Sequence, residues 1–347
     1  MQRQDIQTGH AQVRKPVLAT MPSLDPLWNT YVDDYLPKNA GSFLDQWTLL
    51  KLARGREDLI LNGSVGRQYR YRDLVFAILL KLFSSRPPRV LIQDATWEPG
   101  SEALAAEFPF LRHILPKLAR LAIAAVDGPH VRYAVLSSKE VETFPAVWGV
   151  DPQRVVFQPF PNTLHAYRNM PTRNDGYLFS GGNSIRNYEL LESALEGTGI
   201  PTQIATKWTP TRCLPYLKVE STSHEDFMSL LANSHAVVVP LRQSVRSAGQ
   251  QSYLNAMGLG KPVIVTDAPG VHDYIVDGVT GIIVPPTVEA LRTAILHVMD
   301  CANADFYAEM GQRAREDVFK RFTEEHFRHG LLLHAGVISQ QQFDEGK

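Results

Sequence analysis

The chain has 347 residues, 44% hydrophobic and 20% charged, with 35 Lys and Arg against 36 Asp and Glu. At about 150 residues per domain this is room for two domains, each with its own core, and the near-zero charge balance supplies no positive field for general nucleic-acid binding. Cys213 and Cys301 stand far apart and outside any CxxC pattern, which excludes a disulfide scaffold or cysteine-rich zinc module and suits a reducing, cytoplasmic setting.

Residues 1–15 are polar, lack the apolar stretch of a secretory signal, and read as a mobile tail. Short apolar runs then alternate with helical patterns, the mark of an α/β protein with largely parallel sheets. Strands are predicted at 16–20, 58–62, 89–93, 131–136 and 155–158, and helices at 42–54, 71–84 and 111–126. In the first helix Phe43, Trp47 and Leu50 recur at helical spacing, Ser42 and Asp45 resemble a capping box, and Gly55 marks the stop. The most apolar run, 74–83, contains Lys81 and is far shorter than the ~20 residues of a membrane span, so it reads as a buried helix.

Residues 158–175 are rich in proline and asparagine and read as a linker. The pattern then restarts, with strands at 177–180, 202–206, 236–240, 262–266 and 281–284 and helices at 188–195, 224–233, 249–259 and 271–276. Two runs of one pattern predict two Rossmann-like domains, at 16–162 and 176–322, joined by a linker at 163–175 and followed by a helix and tail at 323–347. They face across a cleft where strand C-termini converge.

Two segments of the second domain carry chemistry. In FSGGNSIRN (179–187) a strand runs into Gly181 and Gly182, then Asn183 and Arg186, then a helix. Backbone N–H groups and the helix N-terminus suit an anion there, and Arg186 can bind phosphate through two bonds. A plain strand-to-helix turn with a surface arginine accounts for the same residues. In VPLRQSVRSAGQQSYLNAMGLGK (239–261) a strand ends in a loop with Arg242 and Arg246, and a helix opens near Ala248, Gly249 and Gln250. Two arginines beside a helix start make a diphosphate site, and Asn255 can reach a ribose or sugar hydroxyl. Lys207, with Trp208, follows a strand end and offers contacts to a base or diphosphate, or is a surface lysine beside a packed indole. Neither GxxxxGK nor GxGxxG occurs, which argues against a P-loop and an NAD site.

The run YLNAMGLGKPVIVTDAPGVHDYIVDGVTGIIVPP (253–286) resembles the donor-binding half of GT-B glycosyltransferases, particularly the large retaining family four (group 1), through its AM–GKPV, PGV, DGVTG and VPP elements. FSGGNSIRNYELLESAL and 224–240 are similar to upstream parts of that half. The resemblance is strong over 177–337, and the first half follows by layout, including Ser137-Ser138-Lys139-Glu140 near the end of the first domain. It implies transfer of a sugar, with retention, from a nucleotide-diphosphate sugar to a hydroxyl of a glycan, lipid-linked or small-molecule acceptor, with no bound metal and no cofactor beyond that co-substrate.

The chain departs from the family where two glutamates are expected, with Ser247 at the first and Asn255 at the second. Neutral side chains still bond hydroxyls, without charge assistance. The candidate catalytic residues are Ser247 and Asp94, the latter at a strand end facing the cleft; the loop at Asn39, Ala40 and Gly41 is a further candidate for approach to phosphate or acceptor. The alternative is a catalytically inactive nucleotide-sugar-binding protein on the same fold. An epimerase would need clustered acids and histidines in the cleft. His326 and His329 have metal-ligand spacing but read as a solvated face of a terminal helix. Arg67, Arg70, Arg72, Lys81, Arg86 and Arg89, with Tyr69 and Tyr71, border the 74–83 run. That patch suits peripheral contact with the inner membrane face, but a buried helix with ordinary charged ends accounts for it more simply.

Overall fold

The computed structural model describes residues 15–35, 43–63, 71–99, 109–111 and 113–345. Residues 1–14 of the tail expected over 1–15, the loop at 39–41, Ser42, Arg67, Tyr69 and Arg70 lie outside them, while Lys15 donates Nζ to the Val32 carbonyl at 3.0 Å.

Strands β1 (Val17–Ala19), β2 (Val32–Asp34), β3 (Asp58–Asn62), β4 (Arg89–Gln93), β5 (Val131–Val135) and β6 (Val155–Phe157) form one sheet in the order β2-β1-β3-β4-β5-β6. Strands β7 (Leu178–Gly181), β8 (Thr202–Ala205), β9 (Leu217–Glu220), β10 (Ala236–Val239), β11 (Val263–Thr266) and β12 (Ile282–Val284) form a second, in the order β12-β11-β10-β7-β8-β9. Every pairing in both sheets is parallel. Helices cover the faces of such sheets, so inner strands read as continuous apolar runs; β10 (AVVV) is buried at all four positions. The edge strand β9 (LKVE) is half-buried or exposed throughout, and no apolar run marks it in the sequence.

The helices are α1 (Pro26–Tyr31), α2 (Phe43–Ala53), α3 (Arg72–Phe83), α4 (Leu115–Val126), α5 (Ser138–Trp148), α6 (Tyr188–Leu195), α7 (His224–Asn233), α8 (Gln250–Gly258), α9 (Val271–Tyr274), α10 (Val288–Met299), α11 (Ala304–Arg321), α12 (Glu324–His334) and α13 (Gln340–Glu345). Helix α3 buries Leu74, Phe76, Ala77 and Leu80 and exposes Leu82 and Phe83. Three of the cations expected to form a basic patch around it have partners within the fold, and of these Lys81 and Arg89 are exposed. Arg72 is buried, pairs with Asp73 and donates to the Thr20 carbonyl. Arg89 binds Asp58 through two bonds of 2.7 Å, and Lys81 donates to the Ala125 carbonyl. Among the described residues no helix is long and apolar enough to cross a membrane.

The segment between the sheets is packed at its start, and residues 171–176 are exposed. Leu164 is fully buried in the core of the second domain, and the Asn162 amide donates to the Phe322 carbonyl at 2.7 Å. After α11 the chain returns to the first domain. Phe327, Leu331 and Leu332 of α12 join Val17, Trp28 and Leu91 in one buried cluster. Burying each such side chain contributes about 1.5–3 kcal/mol, enough to hold the returning helix on the first sheet. This return corrects the solvated-face reading of His329, which is buried with Nε2 at 3.2 Å from Asp25 Oδ2; His326 Nδ1 lies 2.7 Å from Thr323 Oγ1.

Candidate functional site

In the second sheet the strand order runs outward from β7 to β9, then crosses back to place β10 on the other side of β7. Loops leaving the C-terminal ends of β7 and β10 diverge at such a switch point and leave a crevice between them. The two loops, 182–187 and 240–249, are tied at one place. The Asn187 N–H donates to the Pro240 carbonyl at 2.8 Å, and the Arg242 N–H donates to the Ile185 carbonyl at 3.2 Å. Ile185 takes a φ of 53°, a left-handed conformation costly for a β-branched residue and tolerated where the surrounding structure imposes it.

Between these loops and the first domain lies a cavity of about 460 Å³. Asp94, Thr96 and Leu136 line it from the first domain, and Gly182, Asn183, Arg186, Arg246, Ser247, Ala248, Gly249, Gln250 and Asn255 from the second. The structure thus gathers ten candidates, all of these but Thr96 and Leu136, around one cavity. Gly181 lies just behind, its carbonyl accepting from Arg186 Nε at 3.1 Å. Lys207 is exposed outside the lining, and its backbone N–H donates to Asn183 Oδ1. Trp208 stacks near Tyr188 and donates Nε1 to Glu189. Arg242 also points elsewhere, pairing with Glu189 at 2.7 Å.

The two arginines of the cavity differ in kind. Arg246 lies 3.4 Å from the Glu98 carboxylate of the first domain and donates to Ser184 Oγ and the Ser247 carbonyl. Arg186 donates to two carbonyls, of Gly181 and Ser184, and to Ser252 Oγ, and among the described residues no carboxylate pairs with it. Burial lowers its pKa, yet a guanidinium stays charged at neutral pH. Beside it begins α8, capped by Gly249 at φ 90° with no side chain closing the end. The positive φ favours glycine, and a side chain at 249 would crowd Leu241 and Val239 at 3.2 Å. The first helical bond is Tyr253 N–H to the Gly249 carbonyl, and among the described residues the N–H groups of Gln250, Gln251 and Ser252 have no backbone partner. An uncompensated cation next to an open helix N-terminus attracts an anion.

The two positions of neutral replacement have specific roles. Asn255 is 2% exposed and both ends of its amide are engaged by the interdomain segment, Oδ1 accepting from Thr163 N–H at 2.9 Å and Nδ2 donating to Thr163 Oγ1 at 2.8 Å. This ties the linker to α8, while Asn255 also lines the cavity. Ser247, also 2% exposed, donates Oγ–H to Glu140 Oε2 at 2.7 Å and accepts from Gln250 Nε2 at 2.6 Å.

Asp94 holds φ at 55° at the end of β4, and its carboxylate accepts from Thr96 Oγ1 at 3.1 Å. It is the one acid lining the cavity among the described residues. Glu140 lies behind Ser247, and burial pushes its carboxyl up to about 7 despite the bonds from Ser247 and the nearby Arg246, with Asp94 adding to the rise. Sequence reasoning passed over Glu140, whose S-x-x-E spacing from Ser137 has the form of a helix cap. It also passed over Glu98, which accepts from Ser244 Oγ at 2.6 Å, and over His224 and Phe227, which line the cavity from α7. Further bonds seal the domains around the cavity. Ser138 donates N–H and Oγ–H to Asp273, and Tyr274 donates its OH to the Leu136 carbonyl while accepting from Phe160 N–H. Gly270, at φ 88°, sits at this seam, where a side chain would lie 2.8 Å from Ser247 Cβ and 3.0 Å from Ser137 Cβ. Among the described residues no group of three or more His, Cys, Asp or Glu side chains gathers as a metal site.

Residues 206–301 match the sequence family described as glycosyl transferases group 1. No curated protein matches the sequence. Among solved structures, sucrose-phosphate synthase from Thermosynechococcus elongatus is similar at 16% identity, with a TM-score of 0.58 over 90% of this chain and 81% of that one. HepE of Anabaena, solved with UDP-glucose, is similar at 12% identity and a TM-score of 0.60 over 90% and 88%. WaaG, a glycosyltransferase involved in lipopolysaccharide biosynthesis, is similar at 14% identity and 0.54 over 92% and 100%. The fold is GT-B, and the matched segment contains the 240–249 loop and α8. That segment is similar to group 1 glycosyl transferases, and the fold that carries it is shared with solved glycosyltransferases.

Proposed function

We propose that the cavity takes a nucleoside-diphosphate sugar, with the diphosphate between Arg186 and the N-terminus of α8, and that the sugar passes with retention to an acceptor hydroxyl held by the first domain. The observation that carries this reading is the Arg186 guanidinium, which among the described residues has no carboxylate partner and stands beside three backbone N–H groups without a backbone partner. The UDP-glucose bound in HepE, on the same fold, is in keeping with it. Retention, and an acceptor on a glycan, lipid or small molecule, extend the reading through the resemblance to group 1 enzymes.

The chemistry follows from charge. As the glycosidic C–O bond breaks, the diphosphate oxygen that leaves becomes more negative, and fixed N–H dipoles and a guanidinium stabilise that developing charge without reorganising. Asp94, at the cavity wall on the first domain, is the group placed to accept a proton from an acceptor hydroxyl.

The test is a thermal-shift screen against UDP, GDP, ADP and dTDP and their common sugar conjugates, with and without chelator, since a ligand bound only by the folded state raises Tm. A shift with one base that persists in chelator, together with turnover once an acceptor is supplied, is expected; no shift with any of them overturns the reading. Binding without transfer is the second reading, favoured by the neutral Ser247 and by the engagement of Asn255 with Thr163. It predicts a shift without turnover on any acceptor.

A further inference from the structure

Glu140 stands on the first turn of α5 in the first domain, yet its carboxylate does not serve that helix. Ser137 caps α5 by accepting from Lys139 N–H at 3.1 Å, while Glu140 reaches across the cleft to a residue 107 positions away, Ser247. The Ser247 hydroxyl has one proton and two lone pairs. Its proton lies on Glu140 and one lone pair takes the Gln250 amide. Ser247 lines the cavity and Glu140, 1% exposed, stands behind it. What Ser247 has left for a ligand is a lone pair, sharpened by the carboxylate that polarises its O–H bond. Arg186 and the open end of α8 on the same domain offer hydrogen-bond donors. Ser247 therefore offers what those groups lack, an acceptor for a hydroxyl.

We propose that Glu140 is a positioning residue of the donor pocket: from the opposite domain it fixes Ser247 as an acceptor for a hydroxyl of the donor sugar, so that sugar recognition requires the two domains to meet and diphosphate binding does not. This rests on the donor reading above. The groups electrostatically coupled to Glu140 are Arg246 from the 240–249 loop, Asp94 from the end of β4, Tyr253 from α8 and Tyr274 from α9. Arg246 favours its ionised form and Asp94 opposes it. Protonation of Glu140 would let it donate to Ser247 Oγ, turning the serine proton toward the cavity and converting an acceptor into a donor.

The experiment is isothermal titration of the full chain with UDP, GDP, ADP and dTDP and with the glucose, galactose, mannose and N-acetylglucosamine conjugates of each. For the base that binds, Glu140→Gln and Ser247→Ala should hold affinity for the bare diphosphate within about twofold and weaken the best conjugate about tenfold. The double variant should be no weaker than Ser247→Ala alone, because Glu140 acts through Ser247. The wild-type preference for the conjugate should fade as pH falls through about 7 and be flat in Glu140→Gln, the difference between the two proteins cancelling titration of the diphosphate itself. Equal losses on both ligands, or an unchanged conjugate affinity in Ser247→Ala, overturn the proposal and leave the diphosphate site standing. A wild type that binds a diphosphate but no conjugate does the same. A wild type that binds neither overturns the donor reading and this proposal together.

Discussion

The two walls of the cleft are built to opposite electrical designs. On the second domain the lining presents cations and N–H groups, Arg186, Arg246 and the open end of α8. On the first, the groups facing them are carboxylates: Asp94 in the lining, Glu98 against Arg246 and Glu140 behind Ser247. In the proposed reading the first of these walls takes the phosphate ester and the other the hydroxyls. The same complementarity holds the domains together in this structure, so contacts that close the cleft are also those a ligand must respect. The contrast between Arg186 and Arg246 sharpens the point, because the second arginine already has a partner from the opposing wall.

The largest effect expected from disturbing this arrangement lies with Glu140. The folded protein holds its proton to about pH 7 against 4.5 for an unperturbed glutamate, so the native state binds more protons between those values. Stability from this group is therefore full below pH 4.5, falls as pH rises through the window and is lowest above 7, a swing of about 3 kcal/mol. Urea unfolding of wild type and Glu140→Gln at pH 5 and pH 8 should show the variant gaining relative to wild type at the higher pH. An equal difference at both would show that the carboxylate ionises freely.

Arg186→Ala tests the other wall. Loss of hydrogen bonds from a charged donor should weaken nucleoside-diphosphate binding by about 1.5–3 kcal/mol, read by calorimetric titration. Unchanged affinity would move the anion away from the 182–187 turn. Asn255→Ala should lower stability by about 2 kcal/mol, through two lost bonds to Thr163. If Asn255 instead served ribose, binding would drop and stability would hold. The smallest effect concerns the contact between walls. Glu98→Gln should change stability by less than about 1 kcal/mol, since the pair with Arg246 is only partly buried. It should tighten diphosphate binding by freeing Arg246, and weaker binding would mean that Glu98 holds the arginine in its working position.

Much of this architecture was legible in the chain before folding was considered. Buried parallel strands must be apolar on both faces, so β3, β4 and β10 stand out as unbroken runs. Strand-to-helix turns need glycine and polar residues at known places, so the 182–187 turn and the Gly249 helix start could be found from residue types alone. The edge strand β9 was not legible, because half-exposed residues carry no such constraint. The departure from the family at Ser247 and Asn255 was equally visible, although its consequence was not.

What the sequence by itself determined is therefore the local part: element types, the repeated α/β pattern, and the capacity of Arg186 and the α8 N-terminus to meet an anion. The partners of polar side chains were decided only in three dimensions. Asn255 has donors and an acceptor to offer, and a linker threonine 92 residues away bonds one at each end of its amide. Arg242 has the charge for a phosphate, and Glu189 on α6 neutralises it. Glu140 has the spacing of a helix cap and lies against Ser247, and α12 returns to a sheet whose strands end long before it begins. Residue type states how many bonds a side chain can make, a property of its covalent chemistry. Which groups it meets depends on crossovers that bring distant segments within 3 Å, and no local period in the sequence encodes that distance.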